Sequence, residues 1–160
     1  MANRSAPLRK LGIAWLVLCL AIALHVLDEA VNGFLTIYNP TVRELRKQWP
    51  WFPMPPFAFD DWLRGMIIAV AVMAAASFFV FRGDRWIRPM AYVLSVLMIG
   101  NGLGHTLGTI FGRTVASVQF PRPMPGFWSS PVLFAAAIFL LMQLRKTRSL
   151  VALADAREAQ

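Results

Sequence analysis

The chain has 160 residues, 58% of them hydrophobic and 15% charged, with a mean hydropathy of +0.55 and a formal net charge of +8. That balance excludes an ordinary soluble domain of this size, because the apolar residues fall in blocks long enough to cross a ~30 Å hydrocarbon layer, which takes about 20 helical residues each. A single cysteine, Cys19, excludes an intramolecular disulfide and a cysteine-built metal site.

Residues 1–10 form a basic tail that leads into the first apolar block, Leu11–Ile37. The tail followed by Ala21-Ile22-Ala23 is similar to a signal peptide with its cleavage site, but the apolar run continues well beyond it, so an uncleaved anchor is expected. Asn39-Pro40 is the expected stop of this helix. Within it stand His25, Asp28, Glu29 and Asn32. In a helix the first three are related as i, i+3 and i+4, and Asn32 extends their stripe by a turn. Ionisable groups at membrane depth are costly and usually mark function.

Residues 38–61 make the longest connection. It holds a short polar helix over Thr41–Gln48 and the Trp- and Pro-rich stretch Trp49–Phe57, read as an interfacial flap or as a loop that hugs the membrane. Asp60 and Asp61 open the second span, 62–81, as N-cap or first-turn acids. That span is apolar scaffold with small residues at Ala74-Ala75-Ala76-Ser77. A short link, 82–88, precedes the third span, 89–111, which carries Asn101 and His105 as an i, i+4 pair among several glycines. A second loop, 112–128, leads to Ser129-Ser130-Pro131, a plausible helix start, and the fourth span, 129–144.

The basic clusters Arg4/Arg9/Lys10, Arg82/Arg85/Arg88 and Arg145/Lys146/Arg148 fall on alternate sides of the spans. This is the positive-inside pattern, so the net charge sets topology rather than nucleic-acid binding. The expected architecture is one all-α integral membrane domain, a four-transmembrane-helix bundle in the bacterial inner membrane with both termini cytoplasmic. Counting at 1.5 Å per residue, His25 lies about 21 Å along the first helix and His105 about 24 Å along the third, which runs the same way. The two histidines are therefore expected at matched depth.

His25, Asp28, Glu29 and His105 together offer a first shell for one divalent ion, zinc or iron, with Asn101 and Asn32 as supporting groups. A metal-free acid/base pair built on Glu29 and a histidine is the other chemical reading. The structural alternative is a hydrogen-bonded knot that fixes helix packing.

At these residues the chain resembles the HXXEE family of small bacterial membrane proteins. His25-Val26-Leu27-Asp28-Glu29 matches the HxxEE motif with Asp for the first Glu, and His105 matches the later histidine. Pro123-Met124-Pro125-Gly126 matches the Pro-Gly half of the family's YxPG motif, with Pro123 in the place of Tyr. The resemblance spans roughly residues 20–142 and implies a site without naming a reaction. The leading expectation is a membrane enzyme acting on a lipophilic substrate, with Glu29 and Asp28 as the catalytic carboxylates. The rival is a non-enzymatic binding or transport protein for a proton, metal ion or small polar ligand, which a four-helix chain could form as a homodimer. A third reading is an assembly factor in which the cluster only holds helices together.

Overall fold

The structure, a computed structural model, describes the backbone of residues 5–158 and the side chains of residues 6–147. The side chains of Arg4 and Arg148, two of the cations behind the expected topology, lie outside the described residues. Five helices follow in order: α1 (Ser5–Val31), α2 (Leu35–Gln48), α3 (Phe59–Arg82), α4 (Ile87–Phe111) and α5 (Ser130–Glu158). Segments Ala6–Val31, Phe59–Arg82, Ile87–Phe111 and Ser130–Thr147 are each long and apolar enough to cross a membrane.

The expected first helix, 11–37, is two helices. Gly33 takes φ +73°, and the Phe34 N–H reaches back to the Glu29 carbonyl at 2.9 Å, the bond that closes a helix ending in a left-handed residue. The helix ending at Gly33 therefore wins over the continuing apolar pattern. Asn39-Pro40 is not a stop either, since Pro40 lies inside α2. Half of the expected 38–61 loop is thus helical. The fourth span outruns its expected end at 144, since α5 continues to Glu158.

The Trp- and Pro-rich stretch is tied to α2 rather than laid over the site. Asn39 accepts the Phe57 N–H and donates to the Phe57 carbonyl, both at 2.9 Å, and Tyr38 donates to the Pro55 carbonyl at 3.2 Å.

α5 packs between α1 and α4, and α3 lies against the other side of α1 and barely meets α4. The core is Leu11, Trp15 and Leu18 of α1 against Leu133, Ala137 and Leu140 of α5, joined by Ile87 and Ala91 of α4. The Trp15 indole N–H donates to the Met73 carbonyl at 2.8 Å and pins α3. Large apolar side chains such as Leu20, Ile67, Val72, Val93 and Ile110 point outward, the arrangement suited to a lipid surround. In lipid, close fit rather than burial holds helices together, and small residues set that fit. Gly102 is such a point: a Cβ there would sit 3.2 Å from the Ser130 carbonyl oxygen and 3.5 Å from Phe134. Gly100, two residues earlier, faces open space.

Gly102→Val is expected to cost about 1–3 kcal/mol by overpacking the α4–α5 contact. Gly100→Ala should be neutral or slightly stabilising. SDS-driven unfolding in mixed micelles checks the pair, and equal effects at both positions would contradict the packing.

Candidate metal centre

Successive helical residues are turned by about 100°. From His25, Glu29 therefore points roughly 40° to one side and Asp28 about 60° to the other, so the two carboxylates diverge. His25 and Glu29 face the space between α1 and α4, where His105 arrives from α4. All three are buried, at 3%, 6% and 5% exposure. The imidazoles meet edge to face with ring centroids 4.7 Å apart. Glu29 Oε1 lies 3.2 Å from His105 Nε2 and 3.5 Å from His25 Nε2. Phe34, just past the helix ending at Gly33, closes the cluster from the α2 side, 5.8 Å from the His105 ring.

The far nitrogens of both rings are held by the loop between α4 and α5. His105 Nδ1 bonds the Pro125 carbonyl at 2.5 Å. A carbonyl only accepts, so Nδ1 carries a proton, and in the neutral ring Nε2 presents a lone pair. His25 Nδ1 lies 2.8 Å from Ser129 Oγ, and that hydroxyl lies 2.8 Å from Asp28 Oδ2. Ser129 has one proton, and Asp28 can only accept it when ionised. The consistent arrangement is His25 Nδ1–H donating to Ser129 and Ser129 donating to Asp28. His25 Nε2 is then a lone pair as well, and it is a buried atom with no hydrogen-bond partner.

With both rings neutral, two imidazole nitrogens and one carboxylate oxygen converge as three acceptors. Facing lone pairs repel, and either a metal cation or a shared proton relieves them. Their ligating atoms all lie within 4.8 Å of one another. A tetrahedral zinc with bonds near 2.1 Å has ligand–ligand edges of about 3.4 Å, close to the two distances from Glu29. Two histidines and one carboxylate, with positions left open, is a set used for catalytic zinc and for non-haem iron.

Asp28, expected among the metal ligands, stands outside this group. Its oxygens are taken: Oδ2 accepts the Ser129 N–H and hydroxyl, each at 2.8 Å, and Oδ1 accepts the Asn32 amide at 2.7 Å. The 60° turn away from His25 carries it to the start of α5, where it also offsets the positive end of that helix. Asn32 is exposed and serves Asp28, not the cluster. Asn101 lies one turn from His105, and its buried Oδ1 has no partner. Asp60 and Asp61 sit exposed in the first turn of α3, away from the cluster, Asp61 3.6 Å from Arg64.

Sequence reasoning missed three contributors. Ser129 reads as a helix cap, yet its hydroxyl links His25 to Asp28. Pro125 supplies its carbonyl. Gly126, at φ +86°, passes so close that a Cβ would lie 2.7 Å from His105 and 2.9 Å from His25. The Pro-Gly of the loop was the available signal, without its contact.

Beside His105 opens a cavity of about 650 Å³. Its walls are Phe34 and Ile37 before and in α2, and Leu107 and Phe111 on α4, with Asn101 and His105 among the polar lining and Arg113 farther along. Comparison with protein-family models, with curated proteins and with solved structures found no match for the chain.

Ser129→Ala is expected to cost about 1–3 kcal/mol by stranding the partners of its hydroxyl. It should also release the His25 tautomer while His105 keeps its Nδ1 proton. Nitrogen-15 spectra of histidine-labelled protein in micelles distinguish the rings, and an unchanged His25 would refute the assigned network. Gly126→Ala should be worse than Ser129→Ala, because the added methyl meets both imidazoles at a backbone angle that disfavours alanine.

Proposed function

We propose that the chain is a multi-pass protein of the bacterial inner membrane, a four-span bundle of the HXXEE family with both termini cytoplasmic. In this reading His25, Glu29 and His105 hold one divalent metal ion, zinc or iron, and the centre acts as an enzyme on a lipophilic small molecule. The observation that carries it is the convergence of three buried acceptors with both outer imidazole nitrogens already proton donors. A bound divalent ion supplies Lewis acidity or an activated water at such a site. The chain's own groups do the rest. Pro125 and Ser129 fix the imidazoles, Glu29 presents Oε1 as the third ligand, and Phe34 shields the cluster.

Charge supports a divalent ion. Glu29 contributes one negative charge at the centre and Asp28 a second one hydroxyl away, so a doubly charged ion leaves the buried set neutral. The cavity favours catalysis or binding over transport. Its lining comes from the segment before α2, α2, the second half of α4 and the following loop, while the Leu18–Leu133–Leu140 core fills the other half of the helices.

Metal analysis of detergent-purified protein, prepared without chelators, tests the reading. Near one equivalent of zinc or iron is expected in wild type, falling below about a tenth of that in His25→Ala, Glu29→Gln and His105→Ala, because each removes a ligand. Asp28→Asn should retain metal but bind it about 10–100-fold more weakly, as for a group that orients a ligand. Folded wild type without metal would overturn the proposal.

A further inference from the structure

The cavity beside His105 has an unequal distribution of polarity along its length. Its apolar walls include Phe34, Ile37, Leu107 and Phe111. At the end past α4 stands Arg113, with Thr114 and Ser117 beside it. Among the described residues Arg113 has no ion-pair partner, and no carboxylate lines the cavity. Other cations are close to the same end. The Arg122 guanidinium packs over Gly112, next to Arg113 in the chain. Burial pushes the Tyr38 hydroxyl above the ordinary tyrosine range, and the Arg46 charge draws it back. Tyr38 is itself part of the cavity wall.

From His105 to Phe111 α4 rises about 9 Å, and Arg113 lies just beyond the helix end. A ligand that touches both Arg113 and the metal centre must therefore be elongated, charged at one end and apolar behind it. Gly104 lines the cavity, and a Cβ there would meet nothing within 4 Å, so a large side chain at this position has room to project beside His105.

We propose that this cavity binds a single-chain amphiphile with an anionic head group, a carboxylate or a phosphate monoester, its head on Arg113 and its chain running past Gly104 to His105. The assignment deepens the proposed function by naming the substrate class, and it rests on that reading only for the role of His105. Guanidinium donors match either oxyanion through paired N–H bonds, whereas a neutral head offers exposed Arg113 no charge to pair with. The volume lies within the range of small-molecule sites.

The test uses full-length protein in phosphatidylcholine nanodiscs with the fluorescent probe 11-(dansylamino)undecanoate, displaced by laurate, dodecyl phosphate or 1-dodecanol. Saturable probe binding is expected, with at least one of the two anions displacing it about tenfold better than the alcohol; which of them is stronger identifies the head group. Arg113→Gln should erase that preference. Gly104→Leu should abolish saturable binding by filling the cavity, while its metal content equals that of wild type. Displacement by dodecanol as effective as by both anions would overturn the proposal, as would unchanged binding in Gly104→Leu or an intact preference in Arg113→Gln. Wild type without metal but with saturable, anion-selective binding would overturn the metal centre and leave this assignment standing.

Discussion

Two hydrogen bonds on the far side of the cluster govern the site. Because Pro125 and Ser129 each accept an imidazole N–H, His25 and His105 turn bare nitrogens toward Glu29. Both acceptors belong to one short stretch of chain, and the His105 ring cannot change tautomer without losing its bond to the Pro125 carbonyl. The loop in turn must pass between the imidazoles and the start of α5. Gly126 makes that passage, and the Ser130 hydroxyl donates to its carbonyl at 2.7 Å. The α5 N-terminus, the two histidines and Asp28 are consequently parts of one network, and α1 meets α4 through it rather than through a continuous packed seam.

Much of this site was legible in the sequence. Two histidines counted to the same depth along parallel helices do meet, because helical rise is nearly invariant and the spans between their starts and these residues contain no break. Ionisable side chains in an apolar run identified the relevant face for the reason that lipid makes them expensive elsewhere. What could not be read was how the face divides. Residues at i+3 and i+4 share a side of the helix only loosely, and the difference of about 100° between Asp28 and Glu29 sends one to α5 and the other to His105. Ser129 was hidden by its commonest role, and its partner His25 is 104 positions away. Only the fold brings them together.

The first helix shows the opposite case, in which a local signal was present and the longer pattern prevailed in the reading. Asn32-Gly33 is a helix ending, with Gly33 in the left-handed region, but the apolar residues that follow mask it. The consequence reaches the site. The ring of Phe34, just past this break, lies beside His105 and against Trp62 at 5.9 Å. The break also separates α1 from α2, which supplies Ile37, Tyr38 and Thr41 to the cavity wall.

The centre therefore has two unlike sides. Toward His105 lies the apolar cavity. Toward His25 lies the chain of Ser129, Asp28 and Asn32, and Asn32 lines a separate groove of about 420 Å³ that also borders Pro125 and Trp128. Asp28 is only half-buried, so this side is polar up to the surface. In the proposed reading a lipophilic molecule would reach the cluster past His105, whereas a proton leaving His25 Nδ1 would meet a hydroxyl and then a carboxylate on the other side, so the two histidines have different partners for a physical reason. A backbone carbonyl, which cannot titrate, fixes the ring that faces the cavity. A hydroxyl backed by a carboxylate, which can relay a proton, holds the ring on the polar side.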